Sequence, residues 1–435
     1  MQEKFIHSSN LYLHLLRILC FLQLCKWRPI KNGCSMHKLK LFILIYFCFA
    51  ILVVCLLYYK SGANERAQQL LLRDDGYTRI AKNFVRGNDS LMHKEVGPGL
   101  PLIYAPAFFL FDTLQPIVRY LLTVFINIMS ILIFYQIARK LRISDAAFLV
   151  AGFFLVLHPV FVHWTIKSAP DPLITLFLLL FVYFVLNGRK YWPIAAAVFF
   201  ASIFVRPTVL LVPLMLLFVA LLQKEKSLFF FAMTLLVLST AGYWLNNKMT
   251  VEPHMEKLTT YSSGLHEVVM DAYFVDNVLR TTRFNTGALN WPDGNRPMAH
   301  QQYWTWMRRH REANDNRFTL LLKFVAQHPR LMMQKILLNP VFFLCMCATT
   351  FETWITLIYN IVLLLLAIVF IVRNRLAGSE KIIIWSALGY FLIFWIGHSY
   401  SRYIYALLPF LALFAARGLM GLMKMSEKNS HKCAI

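Results

Sequence analysis

Long apolar runs are the feature of this sequence that most limits its fold. A helix needs about 18 or more apolar residues to cross the hydrocarbon core of a bilayer. Hydrophobic residues fill 58% of the 435 positions and charged residues only 15%, against about 25% charged in an average soluble domain. Candidate spans lie at 41–59, 116–138, 143–161, 171–187, 193–205, 208–222, 227–245, 355–372, 382–397 and 403–420. The sequence therefore predicts an all-α polytopic membrane protein of about ten or eleven transmembrane helices.

The formal net charge of +23 is explained by basic links between these runs. Lys and Arg concentrate in the cytoplasmic loops of membrane proteins and meet anionic lipid there. Such links lie at 139–142, 189–190, 224–226 and 373–375. They form no aromatic-interleaved patch, so membrane lipids are expected partners and nucleic acid is not. With the N-terminus inside, ten helices place every one of these links, and the basic C-terminal tail, in the cytoplasm.

This parity leaves residues 60–115 and 246–335 as two large outer loops. It also requires residues 336–350, which contain Asn339 and Pro340, to form a re-entrant or interfacial segment. If that segment spans, the count becomes eleven and the 373–375 link falls outside. The chain is expected to begin with a cytoplasmic N-terminal extension that contains an interfacial helix (1–40) and to continue with a transmembrane core (41–245). An outer loop (246–354), C-terminal transmembrane helices (355–422) and a cytoplasmic tail (423–435) follow.

The N-terminal extension raises the question of where translation starts. Met36 directly precedes a basic, then apolar stretch that is typical of a positive-inside first helix. Residues 1–35 are therefore expected to be dispensable or misassigned, which a chain starting at Met36 would disprove by failing to insert. The eight cysteines include none between positions 56 and 344, so no disulfide framework is indicated.

An acidic pair, Asp74 and Asp75, follows the first apolar run and is the leading catalytic candidate. A partly desolvated carboxylate can act as a general base on an acceptor hydroxyl. The alternative is that Asp74 caps a helix in a solvated loop. On a helix, Asp74, Tyr77 and Ala81 would share one face, and Tyr77 is a substrate-binding candidate.

Basic residues at the outer ends of helices are candidates for binding an anionic ligand. Arg206 and Arg402 lie at the outer face, against the positive-inside tendency, and a phosphate is a suitable partner for each. Lys94 and Lys167 are further candidates, with a surface turn and snorkelling as the respective alternatives. His93, Asp171 and Tyr403 accompany them as substrate-binding candidates. The alternatives are a charged surface turn for His93, an ordinary helix-capping carboxylate for Asp171 and an interfacial anchor for Tyr403.

The order of these motifs resembles that of the GT-C superfamily of membrane glycosyltransferases. The resemblance is to the branch with the dolichyl-phosphate-mannose protein mannosyltransferases and the aminoarabinose transferases, and it covers about residues 40–420. The matching motifs are Asp74-Asp75-Gly76-Tyr77 with Ala81, Gly97 to Tyr104, Arg119-Tyr120, Ser168-Ala169-Pro170-Asp171, Arg206-Pro207-Thr208, and Arg402-Tyr403 with Pro409. A GT-C-like helical bundle is the fold that this resemblance implies.

The same resemblance implies an inverting transfer of a sugar from a polyprenyl-phosphate donor. Asp74 would be the base, although Asp75 stands where the family usually has Glu, which leaves their division of labour open. Arg206 and Arg402 would hold the donor phosphate, with Lys94 and Lys167 in lesser roles. The expected acceptor is a cell-envelope glycan or lipid, such as O-antigen or lipid A, reached from the periplasmic side of a bacterial inner membrane.

Two other functions remain open on the sequence. An O-antigen polymerase or ligase would rely on the loop at 246–335, and a transporter or flippase would carry charges near the middle of its helices. No nucleotide-binding or zinc motif occurs, so no cofactor is expected. Metal dependence varies within the superfamily, and the sequence leaves the use of a divalent metal open.

Overall fold

The computed structural model describes most of the apolar runs and parts of the long loops. The described residues are 77–87, 98–110, 116–166, 169–249, 317–345, 350–397 and 401–433, with shorter pieces between 39 and 52, between 272 and 276, and between 302 and 309. Within these ranges every regular element is a helix. The prediction of an all-α chain is confirmed for the described part.

Fourteen α-helices are numbered here in chain order after the helical residues between 39 and 52. They are α1 Tyr77–Val85, α2 Gly99–Leu110, α3 Pro116–Lys140, α4 Asp145–Val156, α5 Pro159–Ile166, α6 Asp171–Leu186 and α7 Trp192–Val205, followed by α8 Val212–Gln223, α9 Lys226–Met249, α10 Arg317–Gln327, α11 Pro329–Cys345, α12 Thr350–Arg373, α13 Gly378–Ile396 and α14 Leu408–Cys433. Short 3-10 helices lie at Arg189–Tyr191, Pro207–Val209 and Ser401–Leu407.

Among the described residues, five helical segments are long and apolar enough to cross a membrane. They are Val118–Lys140, Lys226–Leu245, Phe351–Arg373, Gly378–Ile396 and Ser401–Met423. Helices α4 and α5 become a sixth if they form one bent span. The sequence predicted ten spans, and several of the other predicted runs form shorter helices. Helices α7 and α8, for example, have 14 and 12 residues, because an extended residue, Arg206, and Pro207 interrupt the apolar run between them.

The segment predicted to be re-entrant or interfacial belongs to a longer helix than expected. Helix α11 begins at Pro329 and contains Pro340 in its interior. It is absent from the segments that meet the length and hydropathy required for a span. The start at Pro329 follows the preference of proline for the first helical turn, where its missing N–H costs nothing.

A 62° bend separates α4 from α5. Pro159 cannot donate a backbone hydrogen bond, so the helix ladder is interrupted at this point. The Nδ1 atom of His158 accepts a hydrogen bond from the main-chain N–H of Val160 (3.2 Å). Its Nε2 atom therefore carries the proton and donates to Oδ1 of Asn360 on α12 (3.0 Å). The bend is thus anchored to α12 by a fully buried, hydrogen-bonded imidazole.

Three of the four basic links predicted to share one side of the membrane lie together at one end of the bundle. Lys140, at the end of α3, donates to the side chain of Asn187 after α6 (3.3 Å). Arg189 pairs with Glu225, at the α8–α9 link (3.6 Å). These contacts bring the links that follow α3, α6 and α8 together.

A buried hydrogen-bonded network joins four elements inside the bundle. Nδ2 of Asn127 on α3 donates to the hydroxyl oxygens of Tyr46 and Thr165, each at 3.0 Å. The hydroxyl of Tyr405 donates to Oδ1 of Asn127 at 2.9 Å. Each of these groups has a partner, as a polar group in a membrane interior requires.

The predicted second outer loop contains a small aromatic core. Trp306 is buried against Phe324 of α10, with ring centroids 5.1 Å apart, and its Nε1 donates to the side chain of Gln327 (2.9 Å). The ring of Trp306 is therefore covered by the protein itself.

The close approach of helices α12 and α14 depends on Gly418. A Cβ atom on Gly418 would overlap the main-chain oxygen of Leu366. We expect Gly418→Ala to lower the free energy of unfolding by about 1–3 kcal/mol, the usual cost of overpacking. Thermal unfolding of the purified protein in detergent measures the effect.

A matched control lies one turn further along α14. A Cβ atom on Gly421 would meet nothing within 4 Å, so Gly421→Ala should leave stability unchanged or raise it by up to about 1 kcal/mol through helix propensity. Equal destabilisation by both substitutions would contradict the close approach at Gly418.

Candidate functional site

Four chain segments meet at the end of the bundle opposite the basic links. They are the start of α6, the end of α7, the end of α13 and the 3-10 helix Ser401–Leu407. Helix α6 packs against α7 and against this 3-10 helix. The cluster that they form, called here the arginine cluster, consists of Asp171, Arg206, Arg402 and Tyr403.

Asp171 is the centre of the arginine cluster. It occupies the first turn of α6, where the positive end of the helix dipole favours a carboxylate. Arg206 directly follows α7 and has an extended backbone, and its Nη1 lies 2.6 Å from Oδ1 of Asp171. The Nε atom of Arg402 lies 3.5 Å from Oδ2 of the same carboxylate. One carboxylate therefore pairs with two guanidinium groups from distant parts of the chain.

Aromatic rings cover the two guanidinium groups. The Cζ atom of Arg206 lies 4.5 Å from the centroid of the Tyr403 ring. The Cζ atom of Arg402 lies 4.7 Å from the centroid of the Trp164 ring on α5. Tyr403 also stacks on Phe394 of α13, with centroids 4.2 Å apart. Cation–π contacts of this kind stabilise a guanidinium that has lost part of its water.

Exposure differs between the carboxylate and the two cations. The Asp171 side chain is 1% exposed, whereas those of Arg206 and Arg402 are 16% and 17% exposed. Asp171 is thus held inside and the arginines form the accessible side of the cluster. Two guanidinium groups against one carboxylate leave one net positive charge.

The electrostatic surroundings keep Arg206 protonated. Burial acts to lower the pKa of the Arg206 guanidinium, but the Asp171 carboxylate and, after it, the phenols of Tyr403, Tyr390 and Tyr77 act to raise it. The net pKa lies above its ordinary value, so the charge is permanent at physiological pH.

Two buried hydroxyl groups border the arginine cluster. The hydroxyl of Tyr390 on α13 faces Oγ1 of Thr208, but the two groups do not reach hydrogen-bond geometry. Gly389 makes this arrangement possible, because a Cβ atom there would lie 2.8 Å from Cα of Val212. Helix α13 therefore packs directly on the backbone at the start of α8.

Helix α1 brings the segment after the acidic pair toward the cluster. Tyr77 is its first residue, is 6% exposed, and is near enough to act on the charge of Arg206. The predicted shared face of Tyr77 and Ala81 is confirmed, since both are buried. Nη1 of Arg119 on α3 reaches Oγ1 of Thr78 (3.4 Å). Helix α1 is thus connected to α3 beside the cluster.

Helix α2 reaches the same place from the other end of the predicted first loop. It packs against α1 and against α7. A Cβ atom on its first residue, Gly99, would lie 2.6 Å from Cγ2 of Val205, so only glycine permits this contact. Val205 directly precedes Arg206, so α2 contacts the chain next to the arginine cluster.

The structure brings together part of the predicted set of site residues. Arg206, Arg402, Asp171 and Tyr403 form one cluster, and Tyr77 lies near it. Contact of any of them with a substrate stays a prediction, and the observed contact of Asp171 is with the arginines. Five predicted site residues lie outside the described residues: Asp74, Asp75, His93, Lys94 and Lys167.

Sequence reasoning assigned no site role to Trp164, Tyr390 or Thr208. Trp164 precedes the Ser168–Asp171 motif, and Thr208 closes the Arg206-Pro207-Thr208 motif, so both could have been found from a motif. Tyr390 lies in an ordinary apolar run, and no motif marks it. Among the described residues, no three His, Cys, Asp or Glu side chains group as metal ligands would.

Comparison with known proteins gives structural similarities and no sequence match. No family model and no curated protein matches the sequence. The Archaeoglobus fulgidus oligosaccharyltransferase in its apo form matches with a TM-score of 0.47 at 12% identity, covering 94% of this chain and 52% of its own. The chain thus spans about half the length of that enzyme.

The ArnT protein of Cupriavidus metallidurans is also similar. Its complex with undecaprenyl phosphate matches with a TM-score of 0.37 at 12% identity, covering 87% of this chain and 77% of ArnT. Its apo state matches with a TM-score of 0.35 at 12% identity, covering 85% and 77%. TM-scores below 0.5 do not establish a shared activity, which has to be argued from the residues of this chain.

The arginine cluster predicts a large effect of a single neutralising substitution. Asp171→Asn keeps the shape of the side chain but leaves two largely buried guanidinium groups without their carboxylate. We expect the free energy of unfolding to fall by about 3–5 kcal/mol, as when one partner of a buried ion pair is removed. Denaturant unfolding of the protein in mixed micelles measures the loss.

Asp145 provides a matched control, because it also lies in the first turn of a helix and its side chain is partly exposed. Asp145→Asn should cost less than about 1 kcal/mol, the contribution of a carboxylate to a helix N-terminus. Equal losses for the two variants would show that the pairing with arginine adds nothing.

Proposed function

We propose that this protein is an integral membrane glycosyltransferase that takes a sugar from a polyprenyl-phosphate donor. The observation that carries the proposal is the arginine cluster, which presents two partly accessible guanidinium groups at the end of a membrane bundle. Arginine binds phosphate by charge-assisted, often bidentate hydrogen bonds. The motif order described above supports the same assignment.

The charge of the arginine cluster suits the change that this reaction makes in the donor. A sugar linked through a polyprenyl phosphate is a phosphodiester with one negative charge. When the bond from the anomeric carbon to the phosphate oxygen breaks, that oxygen keeps the electron pair and the phosphate becomes a monoester of about −1.5 to −2 charge. A cluster with one net positive charge binds the product phosphate more strongly than the donor, which lowers the barrier.

The acceptor hydroxyl completes the reaction. A carboxylate takes its proton as the oxygen forms a bond to the anomeric carbon, on the face opposite the departing phosphate. The configuration at this carbon is thereby inverted. We assign the proton to Asp74, with Asp75 as the alternative.

Chain connectivity supports a carboxylate near the arginine cluster. Asp74 and Asp75 precede Tyr77, the first residue of α1, by three and two positions in the sequence. Tyr77 in turn acts electrostatically on Arg206. This closeness in sequence supports the assignment of a carboxylate of the pair to the site that the arginines form.

The proposed setting is a bacterial inner membrane with the site facing the periplasm. The acceptor is then a cell-envelope glycan or lipid, such as O-antigen or lipid A, and Lys94, Lys167 and His93 contribute to binding the donor or acceptor. An O-antigen polymerase or ligase is the second candidate. It would also use the arginines, but its activity would not need Asp74 or Asp75.

The acidic pair decides between these candidates. We expect Asp74→Asn to reduce sugar transfer from a polyprenyl-phosphate donor by at least about 100-fold, within the range for losing a general base. Asp75→Asn should reduce it less. The assay follows radiolabelled sugar entering extracted envelope glycan or lipid. Full transfer by both variants, at normal levels of inserted protein, would refute the proposed mechanism.

The phosphate assignment makes a separate prediction about Arg206. Arg206→Ala removes a charge-assisted contact and should weaken the binding of undecaprenyl phosphate by about tenfold or more. Acceptor affinity should change little. Arg189→Ala is the control, because Arg189 is an exposed basic residue at the opposite end of the bundle. Unchanged affinity for undecaprenyl phosphate in the Arg206 variant would remove the basis of the proposal.

A further inference from the structure

Helix α11 carries a lysine whose side chain is completely buried. Lys335 is 0% exposed, although an ammonium group is costly to remove from water. Its Nζ donates to the main-chain oxygen of Ile396 at 2.8 Å and to that of Gly397. These oxygens lie at the C-terminal end of α13. The ammonium therefore binds the end of a neighbouring helix.

Asn339, one turn further along α11, binds the same helix end. Its Nδ2 is 2.8 Å from the main-chain oxygen of Trp395 and 3.0 Å from that of Gly397. In return, Nε1 of Trp395 donates to the main-chain oxygen of Ile336 at 2.8 Å. We call Lys335, Asn339 and Trp395 together the helix-end clamp.

The physics of a helix C-terminus explains why this clamp uses a cation. The last carbonyl groups of a helix lack intrahelical partners, and the helix dipole gives this end a partial negative charge. A buried ammonium satisfies both, through hydrogen bonds that its charge strengthens. The oxygen of Gly397 accepts from both Lys335 and Asn339, so the point where the chain leaves α13 is held twice.

The chain that leaves this point leads directly to the arginine cluster. Arg402 is five residues after Gly397, in the 3-10 helix Ser401–Leu407. Helix α11 packs against that 3-10 helix as well as against α13. Phe394 of the clamped helix end stacks on Tyr403, whose ring lies near both arginines. The clamp thus holds both the start of the segment and the ring that supports the guanidinium groups.

We propose that Lys335 and Asn339 are positioning residues that set the place of Arg402, and through it the affinity for the donor phosphate. The inference rests on the proposed function, because it takes Arg402 as a phosphate ligand. Neither residue touches the donor. Their effect is to keep the guanidinium of Arg402 in the geometry that receives a phosphate.

The test compares the two ends of α13. Lys335→Met keeps the length and apolar stem of the side chain but removes the ammonium. Glu380→Gln is the control, because Glu380 accepts from the main-chain N–H of Ala377 and pairs with Arg417 at the opposite end of the same helix. Both variants lose stability. Binding of undecaprenyl phosphate to the full-length protein in nanodiscs separates a positioning role from a merely structural one.

We expect Lys335→Met to weaken that binding by about tenfold, within the loss that a small misplacement of a binding group causes. Lys335→Arg, which keeps a cation at this position, should retain most of the affinity, and Glu380→Gln should keep it within twofold. Trp395→Phe is the milder variant if Lys335→Met does not fold. It removes the bond to Ile336 and part of the ring that packs on Phe391, leaves Lys335 and Asn339 in place, and should weaken binding about threefold.

Arg402→Gln separates the failure of this inference from the failure of the proposed function. If Arg402→Gln binds undecaprenyl phosphate normally, the phosphate assignment of Arg402 is wrong and the inference falls with it. If Arg402→Gln binds weakly while Lys335→Met or Trp395→Phe binds normally, the positioning role alone is refuted. Equal weakening by Lys335→Met and Glu380→Gln would also refute it.

Discussion

Removing Asp171 and two arginines from water is the constraint around which this end of the molecule is organised. A buried guanidinium is costly unless it is paired, and here a single carboxylate serves Arg206 and Arg402 together. The arginines come from segments almost two hundred positions apart, so the pairing joins the two halves of the bundle. Aromatic rings then replace part of the lost hydration. The remaining positive charge makes the cluster a receptor for an anion.

The surrounding helices are arranged so that this cluster can exist. Gly99 lets α2 approach the end of α7, and Gly389 lets α13 approach the start of α8. Both glycines act at sites where a single methyl group would separate two backbones. On the side of α13, Lys335 donates hydrogen bonds to carbonyl groups of the helix end that have no partner within the helix. Close helix packing and the electrostatics of a helix end thus both stabilise the region around the arginine cluster.

Several elements could be deduced from sequence because their signals are local. Apolar runs and basic links marked most helices within a few residues, and Pro159 and Arg206 mark the observed breaks. The positive-inside asymmetry also anticipated the contacts of Lys140 and Arg189 at one end of the bundle. The importance of Arg206 was likewise visible, since an arginine between two apolar runs needs a partner. The contact of Arg206 with Asp171 was not predicted, because sequence spacing does not reveal that the two side chains meet.

Composition and periodicity by themselves determined that this chain is helical, apolar enough for a membrane, and basic at one end of its helices. Those properties depend on neighbouring residues, so they can be read along the chain. The tertiary structure alone decided that one carboxylate holds two arginines, that Tyr390 and Trp164 border them, and that Lys335 closes a helix end. These contacts join residues far apart in sequence, and their strength depends on burial, which only the packed fold creates.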